Sequence, residues 1–319
     1  MSVYTLLTAV DIQSFLDQYA LPPLGGFAPI KSGIENSNYF VTLVDGRELV
    51  LTLFEELPAA EAGVLGPMLS HLEACGVPVA TPLRNDAGLF LGLLLGKPAQ
   101  LAPRLPGSHP SQPDRRQCAA MGEALAHLHI ALQGYPLERA NAHGAAWWDA
   151  VARRWQGQLP PPERTLLQRI LQLYADTCAR HPELPGGLIH GDLFRDNTLF
   201  MDDTVTAVLD FSETSHDHWL LDIAITVNDF CRVWPTTEPD PVRRAAFLDG
   251  YEHARPLLDA EKAALPVFLA VAAMRFWLSR LDIGERNRAE NRGGEHVLEK
   301  DPAEMQLLAS QLLGQIAGD

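Results

Sequence analysis

Lysine is scarce in this chain of 319 residues, which carries only Lys31, Lys97, Lys262 and Lys300. Acidic residues outnumber basic ones 40 to 25, for a formal net charge of −15. A field of that sign repels a phosphate backbone, so nucleic acid is not an expected partner. Any phosphate-bearing ligand must then be held by backbone N–H groups, metal ions and a few local cations. Cysteine is also sparse. Cys75, Cys118, Cys178 and Cys231 are widely spaced without a C-x-x-C, the pattern of free thiols in a reducing compartment. No apolar run approaches the ~20 residues of a membrane span, and the first twenty residues lack a basic stretch followed by an apolar one. The expectation is a soluble, cytoplasmic protein that touches no membrane. Internal repeats and low-complexity tracts are missing, as are H-E-x-x-H, G-x-S-x-G and a Walker-type loop.

What is present is ordinary globular composition, 47% hydrophobic and 20% charged, in a chain long enough for two lobes. Ile12, Phe15, Leu16 and Tyr19 mark one face of an N-terminal helix. Strands are predicted at Phe27 to Ile34, Asn38 to Val44 and Glu48 to Phe54, with Asp45-Gly46 as a hairpin turn and Glu35 to Asn38 as a polar loop. A helical stripe follows from Ala59 to Cys75, interrupted by Gly66-Pro67 as a kink or late start. Leu89 to Leu95 and Ala99 to Leu105 read as a further strand pair joined through Gly96-Lys97-Pro98. The loop opened by Leu105-Pro106-Gly107 is the predicted boundary between residues 1–105 and 106–319. Beyond it, apolar helices are predicted around Met121 to Leu132, Leu166 to Ala179, Trp219 to Phe230, Arg243 to Tyr251, Leu265 to Leu281 and Ala303 to Ile316. Short strand-like runs fall at Leu188-Ile189, Thr198 to Phe200 and Val205 to Leu209. The fold class is α+β: a small antiparallel sheet with one helix, then a larger helical lobe.

The chemistry is concentrated in His190-Gly191-Asp192-Leu193-Phe194-Arg195-Asp196-Asn197, followed by Val208-Leu209-Asp210-Phe211. Phosphoryl transfer needs a carboxylate to orient the acceptor hydroxyl and take its proton. It also needs hard oxygen ligands for a metal ion bridging the phosphates. Asp192 supplies the first, Asn197 and Asp210 the second. The spacing H-G-D-x-x-x-x-N, then an apolar strand ending in Asp, parallels the catalytic loop and D-F-G of protein kinases. His190 is expected to pack beneath the loop and bond its backbone. Asp196 reads either as a solvated loop residue or as a minor substrate contact. His127 and His129 lie two apart on a helix and face different ways, and His216 and His218 are set aside as metal ligands. The tryptophans read as core.

These two motifs, in this order, resemble the aminoglycoside phosphotransferase and choline kinase-like superfamily, with its kinase-like two-lobed fold. The resemblance narrows toward bacterial homoserine kinases. It does so through Gly33-Ile34-Glu35-Asn36-Ser37-Asn38-Tyr39-Phe40, Val50 to Glu55, Asp222-Ile223-Ala224-Ile225-Thr226-Val227-Asn228-Asp229 and Arg275 to Arg280. It implies ATP and Mg²⁺ as cofactors and transfer of a phosphoryl group to the hydroxyl of L-homoserine, a step of threonine biosynthesis. By the same resemblance Asp222 ties down the catalytic loop. The lysine that most kinases carry in the third strand is replaced by Thr52, an absence shared with the homoserine kinases compared. Lys31 and the Asn36, Ser37 and Asn38 group are the candidates for phosphate contacts in its place.

A zwitterionic acceptor wants a guanidinium for its carboxylate and carboxylate or amide oxygens for its ammonium. Arg195, Arg232, Arg275 and Arg280 are candidates for the first, and Asp217, Asn228 and Asp229 for the second. The segment Phe211 to His218 looks less typical of the family than its surroundings and, following Asp210, is a candidate lining of the acceptor pocket, where a departure bears on substrate identity. Two rival readings follow. One is a kinase for choline, ethanolamine, a sugar or an aminoglycoside, marked by an aromatic cage or an acidic open surface. The other is a nucleotide-binding pseudokinase, motivated by Thr52 and opposed by the intact Asp192, Asn197 and Asp210. Oligomeric state is not encoded in any pattern here.

Overall fold

The computed structural model describes residues 5–30, 36–289 and 300–318. They fall into two compact units, the first ending at Pro106 and the second beginning at Gly107.

In the first unit, helix α1 (Ala9–Leu16) starts at a capping box in which Thr8 and Asp11 satisfy each other's backbone N–H. Strands β1 (Leu24–Pro29), β2 (Asn36–Leu43) and β3 (Glu48–Phe54) follow. Next come helices α2 (Ala59–Ala62) and α3 (Leu65–Ala74), then strands β4 (Gly92–Leu94) and β5 (Lys97–Pro103). The strands form one antiparallel sheet in the order β1-β2-β3-β5-β4. The Asp45-Gly46 turn joins β2 to β3 as expected, with Gly46 at φ 86°. The turn between β4 and β5 is instead Leu95-Gly96, both left-handed, so Lys97 and Pro98 already belong to the strand. Gly66-Pro67 marks a late start: the helical stretch breaks after Ala62 and resumes at Leu65.

Asn36 to Asn38, expected in a loop, form the start of β2, because Asn36 pairs with Phe54 and Asn38 with Thr52. The remainder of that loop, with Lys31, lies outside the described residues. Alternation of side chains along a strand then separates the three. Ser37 shares a face with Tyr39, Val41 and Leu43, which pack with Ile12, Phe15 and Leu16 of α1. Asn36 and Asn38 take the other face.

The second unit begins with α4 (Arg115–Ala131), α5 (Ala145–Trp155) and α6 (Pro161–Arg180). Four short strands follow, β6 (Gly186–Ile189), β7 (Thr198–Met201), β8 (Thr204–Val208) and β9 (Ser215–His218). The unit closes with α7 (Trp219–Phe230), α8 (Pro241–Ala254), α9 (Asp259–Ala289) and α10 (Pro302–Gly318). β6 pairs with β9 and β7 with β8, both antiparallel. β9, with the sequence Ser-His-Asp-His, carries no strand signal of its own and exists because β6 offers it a ladder. Helix α7 is buried along all 12 of its residues, including the polar Asp222, Thr226, Asn228 and Asp229, as a helix at the centre of its unit is. α4 and α8 touch backbone to backbone: a Cβ on Gly122 would collide with the Phe247 carbonyl, and one on Gly250 with that of Ala119. Among the described residues, one helix, Asp259–Arg288, is long and apolar enough to cross a membrane. Its most apolar window is 78% buried inside the protein, so that surface is spent on packing against α7, α6 and α10.

Candidate active site

The site is organised from below by Asp222 of α7. Its side chain is fully buried, and its two oxygens accept from the backbone N–H of His190 (2.7 Å) and of Gly191 (2.9 Å). Oδ2 also takes Nε2 of His129 at 3.0 Å, whose other nitrogen meets the Tyr251 hydroxyl at 2.7 Å. Burial would raise the Asp222 carboxyl; the hydrogen bonds from His129 and the Gly191 N–H outweigh it and hold it below the ordinary range. Helix α7 thereby pins the turn that leads into the catalytic loop.

His190 locks the next contacts. Its Nε2 bonds the Leu209 carbonyl at 2.8 Å, and Nδ1 accepts from the Asp192 N–H at 3.2 Å. That pairing fixes the proton on Nε2 of a neutral ring, in keeping with burial, which pushes its pKa down. Gly191 sits at φ 83°, and a Cβ there would lie 2.8 Å from the Glu213 carbonyl oxygen, so only glycine fits this turn.

Asp192 and Asn197 converge as the spacing predicted. The Asn197 amide donates to the Asp192 carbonyl (2.8 Å) and to Oδ2 of its carboxylate (3.0 Å). With Nδ2 so engaged, the amide oxygen is the remaining acceptor. Asp210 is carried to the same place by two ties to its neighbour: the Leu209 N–H donates to the Asn197 carbonyl at 2.8 Å, and the Leu209 carbonyl holds His190. Asp210 is exposed and left-handed at φ 55°. Its Oδ1 accepts from the Ser212 hydroxyl at 2.6 Å. The Asn197 amide oxygen and the Asp210 carboxylate are hard oxygen donors. Such a set suits Mg²⁺, which keeps waters and takes one or two carboxylates together with substrate phosphate.

The predicted acceptor residues divide. Arg275 reaches the loop: Nη1 donates to the Gly191 carbonyl (2.7 Å) and Nη2 to Oε2 of Glu213 (3.1 Å). Arg195 and Arg232 instead flank the ring of Trp234, each 3.3 Å from its centroid, and both pair with Asp229. Arg232 and Arg280 also meet Glu304. Asn228 is buried and donates to the Leu269 carbonyl at 2.8 Å. This group forms a network that braces α7 against α10 and the loop. Asp217 accepts from the Asn141 amide at 2.7 Å and pairs in register with Gly187, whereas Ser215 pairs with Ile189. At ~3.3 Å per residue, that sets Asp217 about 7 Å farther down the strand from the loop than Ser215. Asp196 is exposed and meets Lys300 at 3.0 Å.

Three more side chains complete the surroundings: Glu213, from the segment that is a candidate lining of the acceptor pocket, and His143 and Arg139, which no motif singled out. Glu213 Oε2 accepts from Nδ1 of His143 at 2.6 Å as well as from Arg275. Arg139 donates to the carbonyls of Ser212 (2.6 Å) and Thr214 (3.2 Å). Burial alone would raise the Glu213 carboxyl; His143, Arg275 and Arg139 outweigh it and hold it at about 2. In the first unit, Asn38 accepts from the Thr52 hydroxyl at 2.8 Å. Ser37 bonds Glu55, which in turn pairs with Lys97. Lys97 therefore works on the α1 face of the sheet and does not stand in for a lysine at Thr52.

A kinase-like catalytic loop, an antiparallel-sheet unit and a helical unit define a phosphotransferase. The chain matches the family described as "Phosphotransferase enzyme family" over residues 26–257 and belongs to it. It is similar to the homoserine kinase of Methylobacillus flagellatus, at 43% identity over 95% of this chain and 92% of that one. It is likewise similar to that of Pseudomonas aeruginosa, at 40% identity over 98% and 96%. Among solved structures it shares its fold with an amicoumacin kinase in complex with AMP-PNP and Ca²⁺ (TM-score 0.69, 17% identity, 96% and 93% coverage). A second is a hygromycin B-bound aminoglycoside phosphotransferase with ADP (TM-score 0.63, 15% identity, 98% and 100% coverage). The chain is an enzyme, an ATP-using phosphotransferase with a small-molecule acceptor.

Proposed function

We propose that the protein transfers the γ-phosphoryl group of ATP to the hydroxyl of L-homoserine, giving O-phospho-L-homoserine for threonine biosynthesis in the cytoplasm. The observation that carries this reading is likeness to homoserine kinases over nearly the whole chain, at 40–43% identity. The joined Asp192–Asn197 loop beside Asp210 supports it.

In this reading Asp192 orients the acceptor hydroxyl and takes its proton as the oxygen attacks the phosphorus in line. The Asn197 bond to Oδ2 holds the Asp192 carboxylate against its own loop. Asn197 and Asp210 would hold Mg²⁺, which when bound neutralises charge on the phosphates. Residues 1–105 form the nucleotide lobe and 106–319 the catalytic and acceptor lobe. Asn36 and Asn38 contribute nucleotide contacts from their shared face, together with Lys31. Ser37, hydrogen-bonded on the opposite face, contributes through its backbone. Most of the catalytic effect comes from positioning and charge neutralisation.

The test is ADP release from Mg-ATP with L-homoserine, choline, ethanolamine and kanamycin in parallel, with Asp192→Asn as control. Turnover on homoserine alone, reduced about 10²–10⁴-fold in the variant, is expected for a general base. Turnover on a different acceptor would discard the substrate assignment. ATP binding without any turnover would favour a pseudokinase.

A further inference from the structure

We propose that Glu213 is the ammonium-binding residue of the acceptor pocket, taking the α-amino group of an amino-acid acceptor on its Oε1. The inference rests on the homoserine reading above and assigns the part of the site that selects for the amine.

Glu213 lies three residues beyond Asp210 and directly against the catalytic loop. Arg275 bridges its carboxylate to the Gly191 carbonyl, one residue before Asp192. Its two oxygens are used unequally. Oε2 receives both Arg275 and His143, whereas Oε1 has no partner among the described residues. The side chain is 21% exposed, enough to meet a ligand. Two donors on one oxygen hold the carboxylate in place without saturating it, which is how a preorganised anion presents its second oxygen.

The surrounding charge favours a zwitterion over a bare amine. Arg275 and Arg139 both act on Glu213, so a simple cation would meet their repulsion as well as the carboxylate's attraction. An amino acid brings its own carboxylate to offset that positive charge. Choline and ethanolamine carry no such group. The rival carboxylate, Asp217, is occupied by Asn141 and lies farther down β9.

The experiment compares L-homoserine with 4-hydroxybutyrate, which keeps the hydroxyl and carboxylate and lacks the amine. In the wild-type enzyme kcat/KM should favour homoserine by about 10- to 100-fold, the size of one charge-assisted hydrogen bond. In Glu213→Gln that preference should fall to near parity while the KM for ATP holds. A purely structural role would slow both acceptors alike, so an unchanged preference in Glu213→Gln overturns the proposal. Should that variant not fold, Glu213→Asp keeps the charge on a shorter arm. It should raise the KM for homoserine and leave that for 4-hydroxybutyrate, and equal effects on the two overturn the proposal. Wild-type inhibition gives a check without any substitution: L-2-aminobutyrate should inhibit at least about tenfold better than butyrate, and equal inhibition overturns the proposal. Failure of the wild type to use homoserine at all overturns the reading on which it rests.

Discussion

Replacing Asp222 by Asn tests whether α7 really anchors the catalytic loop. The substitution is nearly isosteric but turns one acceptor oxygen into a donor. Three donors converge on the native carboxylate: the N–H groups of His190 and Gly191, and Nε2 of His129. An Asn oxygen can keep Gly191. The new NH₂ then confronts the His190 N–H and the His129 ring. His129 can relieve its share by changing tautomer, since the Tyr251 hydroxyl accepts as readily as it donates. The His190 N–H cannot, and it is left buried without a partner. A lost hydrogen bond to a charged group, together with an unsatisfied buried donor, costs about 3 kcal/mol. For a unit of this size that is a fall in Tm of about 6–12 °C. Because the loop is released where it positions Asp192, kcat should drop about 100-fold. Scanning calorimetry and steady-state ADP release measure the two effects. A variant melting within about 2 °C of wild type, with kcat within about twofold, would refute the anchoring argument.

The pH dependence of stability follows from His190. Its ordinary pKa is 6.5 and burial lowers it in the folded protein. Below pH 6.5 the unfolded chain therefore binds a proton that the folded one refuses. Stability is full above about pH 6.5 and falls, by up to about 1.4 kcal/mol per pH unit, as pH drops toward the folded value. Urea unfolding at pH 7.5, 6.5 and 5.5 should show that fall, and a flat profile contradicts a buried neutral His190. The Asp222 carboxyl, held below its ordinary 3.8, loses its contribution only in stronger acid. In the first unit, Lys97→Met should destabilise by about 1–3 kcal/mol, because Glu55 loses its cation. It should leave the KM for ATP within about twofold, since Lys97 pairs on the α1 face, opposite Asn38 and Thr52. A tenfold rise in that KM would show that Lys97 replaces the missing third-strand lysine after all.

Much of the architecture was legible locally. The Asp45-Gly46 hairpin, β3, the Asp192–Asn197 loop and most of α7 declare themselves within a dozen residues, by turn chemistry, alternation or a largely apolar run. β9 and the two-piece α2–α3 stretch were less legible. The first borrows its hydrogen bonds from β6, and the second is divided at Gly63 and Val64, with Pro67 in the first turn of its resumed helix.

The site shows the same division more sharply. Sequence alone determined that Asp192, Asn197 and Asp210 belong together, because a tight loop and the hairpin after it fix their separations. It also marked Asp222 and Arg275, through resemblance, without saying what they hold. Only the tertiary structure decided that Ser37 and Asn38 look in opposite directions, that Arg195 and Arg232 brace Asp229, and that His143, Glu213 and Arg275 meet. Those three lie on the loop before α5, the loop before β9 and α9, and no spacing links them. Short-range pattern encodes backbone conformation, which is set by neighbours in the chain. A charge cluster drawn from distant segments exists only once packing has excluded water and brought the segments into contact.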